Sequence, residues 1–75
     1  MSQTIYVKLL DEGVDVWRPV LAEKGTDVNS FLILPSPTNA IPFGEEWEFR
    51  PGARVLTKEM KLEGKLVKVA YKQIA

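Results

Sequence analysis

The sequence predicts a small all-β domain, and three observations carry that prediction. Apolar and polar residues alternate with period two over most of the chain, as strands with one buried and one wet face require. Gly and Pro cut the alternation into short runs. Helix has little support: Lys58 to Lys68 has favourable composition, but Gly64 interrupts it and no Ser/Thr-x-x-Glu cap precedes an i, i+3, i+4 apolar series. A single helical turn near Thr57 to Leu62 is the most that the pattern allows.

The first strand spans Thr4 to Leu10, with Ile5, Val7 and Leu9 on one face and Tyr6, Lys8 and Leu10 on the other. Asp11-Glu12-Gly13 supplies turn chemistry, after which Val14 to Glu23 pairs back as a hairpin. Pro19 has no N–H for a ladder, so it marks a sheet edge or a bulge in this second strand. Lys24-Gly25-Thr26-Asp27 turns the chain into a third strand, Val28 to Leu34, where Phe31 and Ile33 share a face. Pro35 to Gly44 holds three of the five prolines and reads as a loop. It is long for so small a domain, and is either a contact surface or a connection clipped to the core by Ile41 and Phe43.

Glu45 to Arg50 is the expected fourth strand, with Trp47 and Phe49 inward and Glu46, Glu48 and Arg50 outward. Pro51-Gly52 turns into Ala53 to Met60, and Lys61-Leu62-Glu63-Gly64 turns again. Lys65 to Ile74 closes the set, with Val67, Val69 and Tyr71 inward and Lys68, Ala70 and Lys72 outward. Five to six short antiparallel strands suit a sandwich or a barrel, and a barrel removes exposed edges. The expectation is a small SH3-like barrel with residues 1–75 as one domain.

A chain of 75 residues commits most of its large apolar side chains to one core. With 45% hydrophobic and 27% charged residues, its composition is that of a folded protein. It contains neither Cys nor His, which removes disulfides, thiolate metal sites, Ser-His and Cys-His nucleophiles and zinc-hydrolase chemistry. Cysteine usage and the absence of a signal-peptide or membrane-span pattern suit a cytoplasmic setting.

Net charge is zero but unevenly placed. Residues 1–50 hold Lys8, Arg18, Lys24 and Arg50 against Asp11, Glu12, Asp15, Glu23, Asp27, Glu45, Glu46 and Glu48, a net of minus four. The remaining residues carry plus four, with Arg54, Lys58, Lys61, Lys65, Lys68 and Lys72 facing Glu59 and Glu63. They form either a solvated face or, side by side, a basic stripe for phosphates.

The stretch from Tyr6 to Val20, Tyr-Val-Lys-Leu-Leu-Asp-Glu-Gly-Val-Asp-Val-Trp-Arg-Pro-Val, and the Trp-Glu-Phe-Arg-Pro-Gly of Trp47 to Gly52 resemble a group of short, uncharacterised bacterial proteins. That group shares a V-(R/K)-L-L-D-E-G-(T/V)-(E/D)-V-W-R-P start and a later W-E-F-x-P-G. The resemblance covers most of the chain, weakly over residues 21–44. It implies a free-standing bacterial cytoplasmic protein, and no activity or site residue comes with it.

Chemistry has little raw material. Asp11, Glu12 and Asp15 cluster at a turn, but the spacing lacks the D-x-[DN]-x-[DN]-G-x₅-E calcium loop. The five glycines are isolated and none opens a helix, so no phosphate loop is present. The expectation is a non-enzyme without cofactor or metal, working by surface recognition.

The aromatics carry the sharper hypothesis. Trp47, Phe49 and Tyr71 read as core, whereas Trp17 alternates against Val14, Val16 and Val20. If those valines face inward, Trp17 faces out beside Pro19 and Leu21, on the same side as Tyr6 and Leu10. Tyr6, Leu10, Trp17, Arg18 and Pro19 then form a protein-binding surface, since Trp, Tyr and Arg dominate interface hot spots. The opposing reading has Trp17 capping the barrel end and largely buried. Two further partner classes stay open: single-stranded nucleic acid on the lysine stripe, and self-association through a shared edge or patch.

Overall fold

The computed structural model describes residues 2–35 and 37–75. Five strands close a barrel in chain order: β1 (Ser2–Lys8), β2 (Trp17–Lys24), β3 (Ser30–Ile33), β4 (Arg54–Leu62) and β5 (Lys65–Gln73). Each consecutive pair is antiparallel, so β1 and β5 run the same way and the closing contact, Tyr6 opposite Val69, is parallel. The barrel is all-β and SH3-like as expected, but mixed where only antiparallel pairing was expected.

Alternation works as the sequence implies through β1 to β3. Ile5, Val7, Val20, Ala22, Phe31 and Ile33 fill the interior, joined by Leu9, Val55, Ala70, Trp47 and Phe49. Burying such side chains contributes about 1.5–3 kcal/mol each, and hydrophobic burial is the main force favouring the fold. At the β2–β3 turn, a Cβ on Gly25 would lie 2.4 Å from Ser30 Oγ. That hydroxyl is fixed, accepting from Asp27 N at 3.2 Å and donating to Asp27 O at 3.1 Å, so only glycine fits.

Four expectations need correction. The second strand begins at Trp17 rather than Val14, and Val14 stands exposed in the preceding loop. Glu45 to Arg50 is no strand: one bridge pairs Trp47 with Leu9, held by Leu10 N donating to Glu46 O at 2.7 Å and Glu48 N to Lys8 O at 2.9 Å. Trp47 and Phe49 nevertheless reach the core. Thr57 to Leu62 is strand, with no helical turn. In the 35–44 loop Ile41 packs on the core, whereas Phe43 is fully exposed and clips nothing.

The faces expected of β5 hold only in part: Val69 is buried and Lys72 exposed as expected, but Ala70 is buried and Tyr71 exposed. Lys58, Met60 and Leu62 on β4 lie opposite Val69, Val67 and Lys65, while Thr57 lies opposite Ala70. Directly opposed residues share a face. Ala70 joins the main core cluster, and Val69 is fully buried opposite Tyr6 of β1. A bulge leaves Tyr71 as the extra residue between Ala70 and Lys72, half-exposed with Lys58 Nζ 5.6 Å from its ring centroid.

Candidate functional site

Tyr6 pairs with Val69, and Val69 shares a face with Val67 and, across the hairpin, with Lys58 and Met60. The outer side of β1 therefore meets the outer side of the β4–β5 hairpin. Between them lies a cleft of about 750 Å³, completed by the loop entering β2. Tyr6, Val16, Trp17, Met60, Leu62 and Val67 give it an apolar lining, and Asp15, Lys61, Glu63 and Lys65 bring charge of both signs. The barrel interior is already filled by other side chains, and of the cleft's apolar lining only Val16 also packs against that core. This lining is therefore a second apolar surface, on the outside.

Trp17 is half-buried, which answers neither of its two sequence readings in full. Its backbone opens β2 opposite Lys8, and it lines the cleft with Tyr6, also half-buried. Pro19 is exposed directly opposite Tyr6, so it extends this side of the sheet.

The other two expected residues lie elsewhere. Leu10 sits past the end of β1, where its N–H bonds to Glu46 O, and lines a different hollow with Trp47 and Arg50. Arg18 is engaged by Glu45: its Nε donates to Oε1 at 3.1 Å and its Nη2 to Oε2. Trp47 Nε1 also donates to Glu45 Oε1, at 3.1 Å. The hydrogen bond from Arg18 holds the Glu45 carboxyl below its ordinary range, opposed by burial and reinforced by Trp47, and the same bond raises the guanidinium. Arg18 thus ties β2 to the 45–47 segment in place of offering a free guanidinium.

The acidic turn shows no ligand cage. Asp15 is paired with Lys8 Nζ at 3.2 Å, and among the described residues no group of three or more Asp or Glu stands where it could hold a metal ion. The lysines do not make one stripe either. Strand alternation separates Lys58 and Lys65 from Lys61 and Lys68, which lie opposite Leu66 and Glu59, and of the four only Lys61 and Lys65 reach the cleft.

Sequence reasoning missed Met60, Leu62 and Val67 as members of the site. The signal was present as apolar residues at period two on both arms of one hairpin, but the outward face was assigned to the wrong set. Compared with protein families, curated proteins and solved structures, the chain matches none.

Proposed function

We propose that this chain is a non-catalytic recognition module that holds an extended segment of a protein partner in the Tyr6–Trp17 cleft. One observation carries the reading: an apolar, aromatic-lined cleft lies outside a barrel whose core is complete without it. Apolar surface left in water forgoes about 25 cal/mol per Å², so covering this lining favours association. Trp and Tyr are the residue types on which such contacts concentrate. Asp15 and Glu63 beside Lys61 and Lys65 suit a segment with an apolar anchor and charges of both signs around it.

The distribution of lysines favours protein over nucleic acid. Tracking a phosphate backbone needs cations along one groove with aromatics among them, and here Lys61 and Lys65 share the cleft with Asp15 and Glu63 while Lys58 and Lys68 lie outside its lining. The absence of His and Cys, and the engagement of Arg18 and Glu45 with each other, support recognition over chemistry.

Selection from a displayed peptide library, with each recovered peptide mapped by backbone amide shifts, tests the reading. The expected peptides perturb Tyr6, Trp17, Met60 and Val67, and bind at least about tenfold more weakly to Trp17→Ala, which is about 1.4 kcal/mol. The melting temperature of that variant should fall far less than that of Trp47→Ala, whose ring is in the core. Peptides that map elsewhere, or oligonucleotides that bind with a steep salt dependence where peptides do not, overturn it.

A further inference from the structure

We propose that two copies of the chain join through the outer edge of β4, residues 58–62, making one sheet continuous across two barrels. Elsewhere much of the sheet edge is covered, the start of β5 excepted. β3 pairs with β2 on one side and β4 on the other. Where β2 leaves β3, the buried Asn39 amide stands in for a strand, accepting from Leu21 N at 2.9 Å and donating to Leu21 O at 2.8 Å. The open end of β1 bonds to the 46–48 segment.

On β4, cover stops at Thr57, whose N–H donates to Asn29 O at 2.8 Å. Beyond it, the described residues include no strand on that side. Backbone groups of alternate residues in a strand point to alternate sides. Since Thr57 points its N–H away from β5, Glu59 and Lys61 do the same, leaving two donors and two acceptors without a strand to meet them.

The side chains then select the occupant. Two antiparallel copies of this edge can exchange hydrogen bonds only in registers that oppose outward-pointing residues. Centred on Glu59 the register sets Glu59 against Glu59, and centred on Lys61 it sets Lys61 against Lys61. Centred on Met60 it sets each Glu59 against the other copy's Lys61, twice over, with four backbone hydrogen bonds. Opposite charges directly across a ladder stabilise it and like charges destabilise it. The sequence Lys-Glu-Met-Lys-Leu is thus self-complementary in a single register.

The exposed start of β5 offers no such match. Lys65-Leu66-Val67-Lys68 contains no acid to oppose its lysines. Because the β4 pairing is two-fold, it consumes the edge of both copies and closes at two. Met60 and Leu62 also line the cleft, so the dimer sets two clefts beside each other across the axis.

Sedimentation of the full chain from micromolar to millimolar concentration tests this. Wild type is expected to double its mass as concentration rises, with slowed exchange at the Glu59 and Lys61 amides. Glu59→Lys and Lys61→Glu should each remain monomeric, and an equimolar mixture of the two should recover the dimer, since an all-lysine edge then meets an all-glutamate one. A wild type that stays monomeric throughout overturns the proposal, as does a dimer that survives both substitutions or a mixture that remains monomeric. Glu59 is not part of the cleft lining, so peptide binding read on Glu59→Lys judges the cleft separately.

Discussion

Glu45 ties two parts of the chain together through one carboxylate, accepting from Arg18 of β2 and from the indole of Trp47 two residues on. Its folded pKa lies below its unfolded one, chiefly because of the Arg18 hydrogen bond. Such a group adds stability above its unfolded pKa, and that stability is lost as pH falls through the folded value. Glu45→Gln should therefore melt below wild type at neutral pH, with the gap closing in acid beneath the ordinary carboxylate range. A gap that is constant from neutral to strongly acidic pH would show that the charge contributes nothing. This clip was illegible in the sequence, because Arg18 and Glu45 are distant along the chain and nothing in their neighbours pairs them. Asn39 was illegible for the same reason: a polar residue among prolines reads as loop, while its place against Leu21 and Leu34 is set by the path of the closed barrel.

At the level of elements, the β4–β5 hairpin turns through Leu62-Glu63-Gly64-Lys65, with Glu63 at φ 49° and Gly64 at φ 84°. Positive φ at both central residues is the type I′ turn, whose twist matches that of the flanking strands. Gly64 takes that conformation freely, but Glu63 carries the Cβ penalty of the left-handed region, where Asn is tolerated far better. Glu63→Asn should raise stability by about 0.5–1 kcal/mol, read as a melting temperature higher by several degrees in a domain of this size. An unchanged or lower value would contradict the turn geometry. The turn itself was legible from Glu63-Gly64, and so were β1, β3 and the inward faces of the first three strands. The faces of β5 were legible only in part: Val69 is buried as the stripe Val67, Val69 and Tyr71 implies, but a bulge leaves Tyr71 exposed, and Ala70 is buried in its place. The Glu45–Arg50 segment misled differently, since Trp47 and Phe49 are core residues at strand spacing yet the backbone finds only Leu9 to pair with.

For the whole molecule, closure is uneven. Phe31 and Leu32 pair with β2 on one side and β4 on the other, so their strand sits between two ladders. The seam that closes the barrel is one residue pair, Tyr6 with Val69, although β1 and β5 remain packed along it. Local opening follows the number of hydrogen bonds and buried contacts that must break together. Amide exchange should therefore be slowest in β3 and its partners on β2 and β4, approaching the rate set by global unfolding, and faster at the hairpin arm beyond Thr57. In Glu59→Lys, where the edge pairing is expected to be absent, the Lys61 amide should exchange fastest among the residues of β4 and β5, alongside the Glu63-Gly64 turn. Uniform protection from β3 to the hairpin tip would mean that the barrel opens only as one unit. The cleft lies between the two regimes, with Tyr6 and Trp17 on the protected β1–β2 pair and Met60, Leu62 and Val67 on the arm. A ligand that bridges them should slow exchange on the arm more than on β1, because only the arm has opening left to suppress.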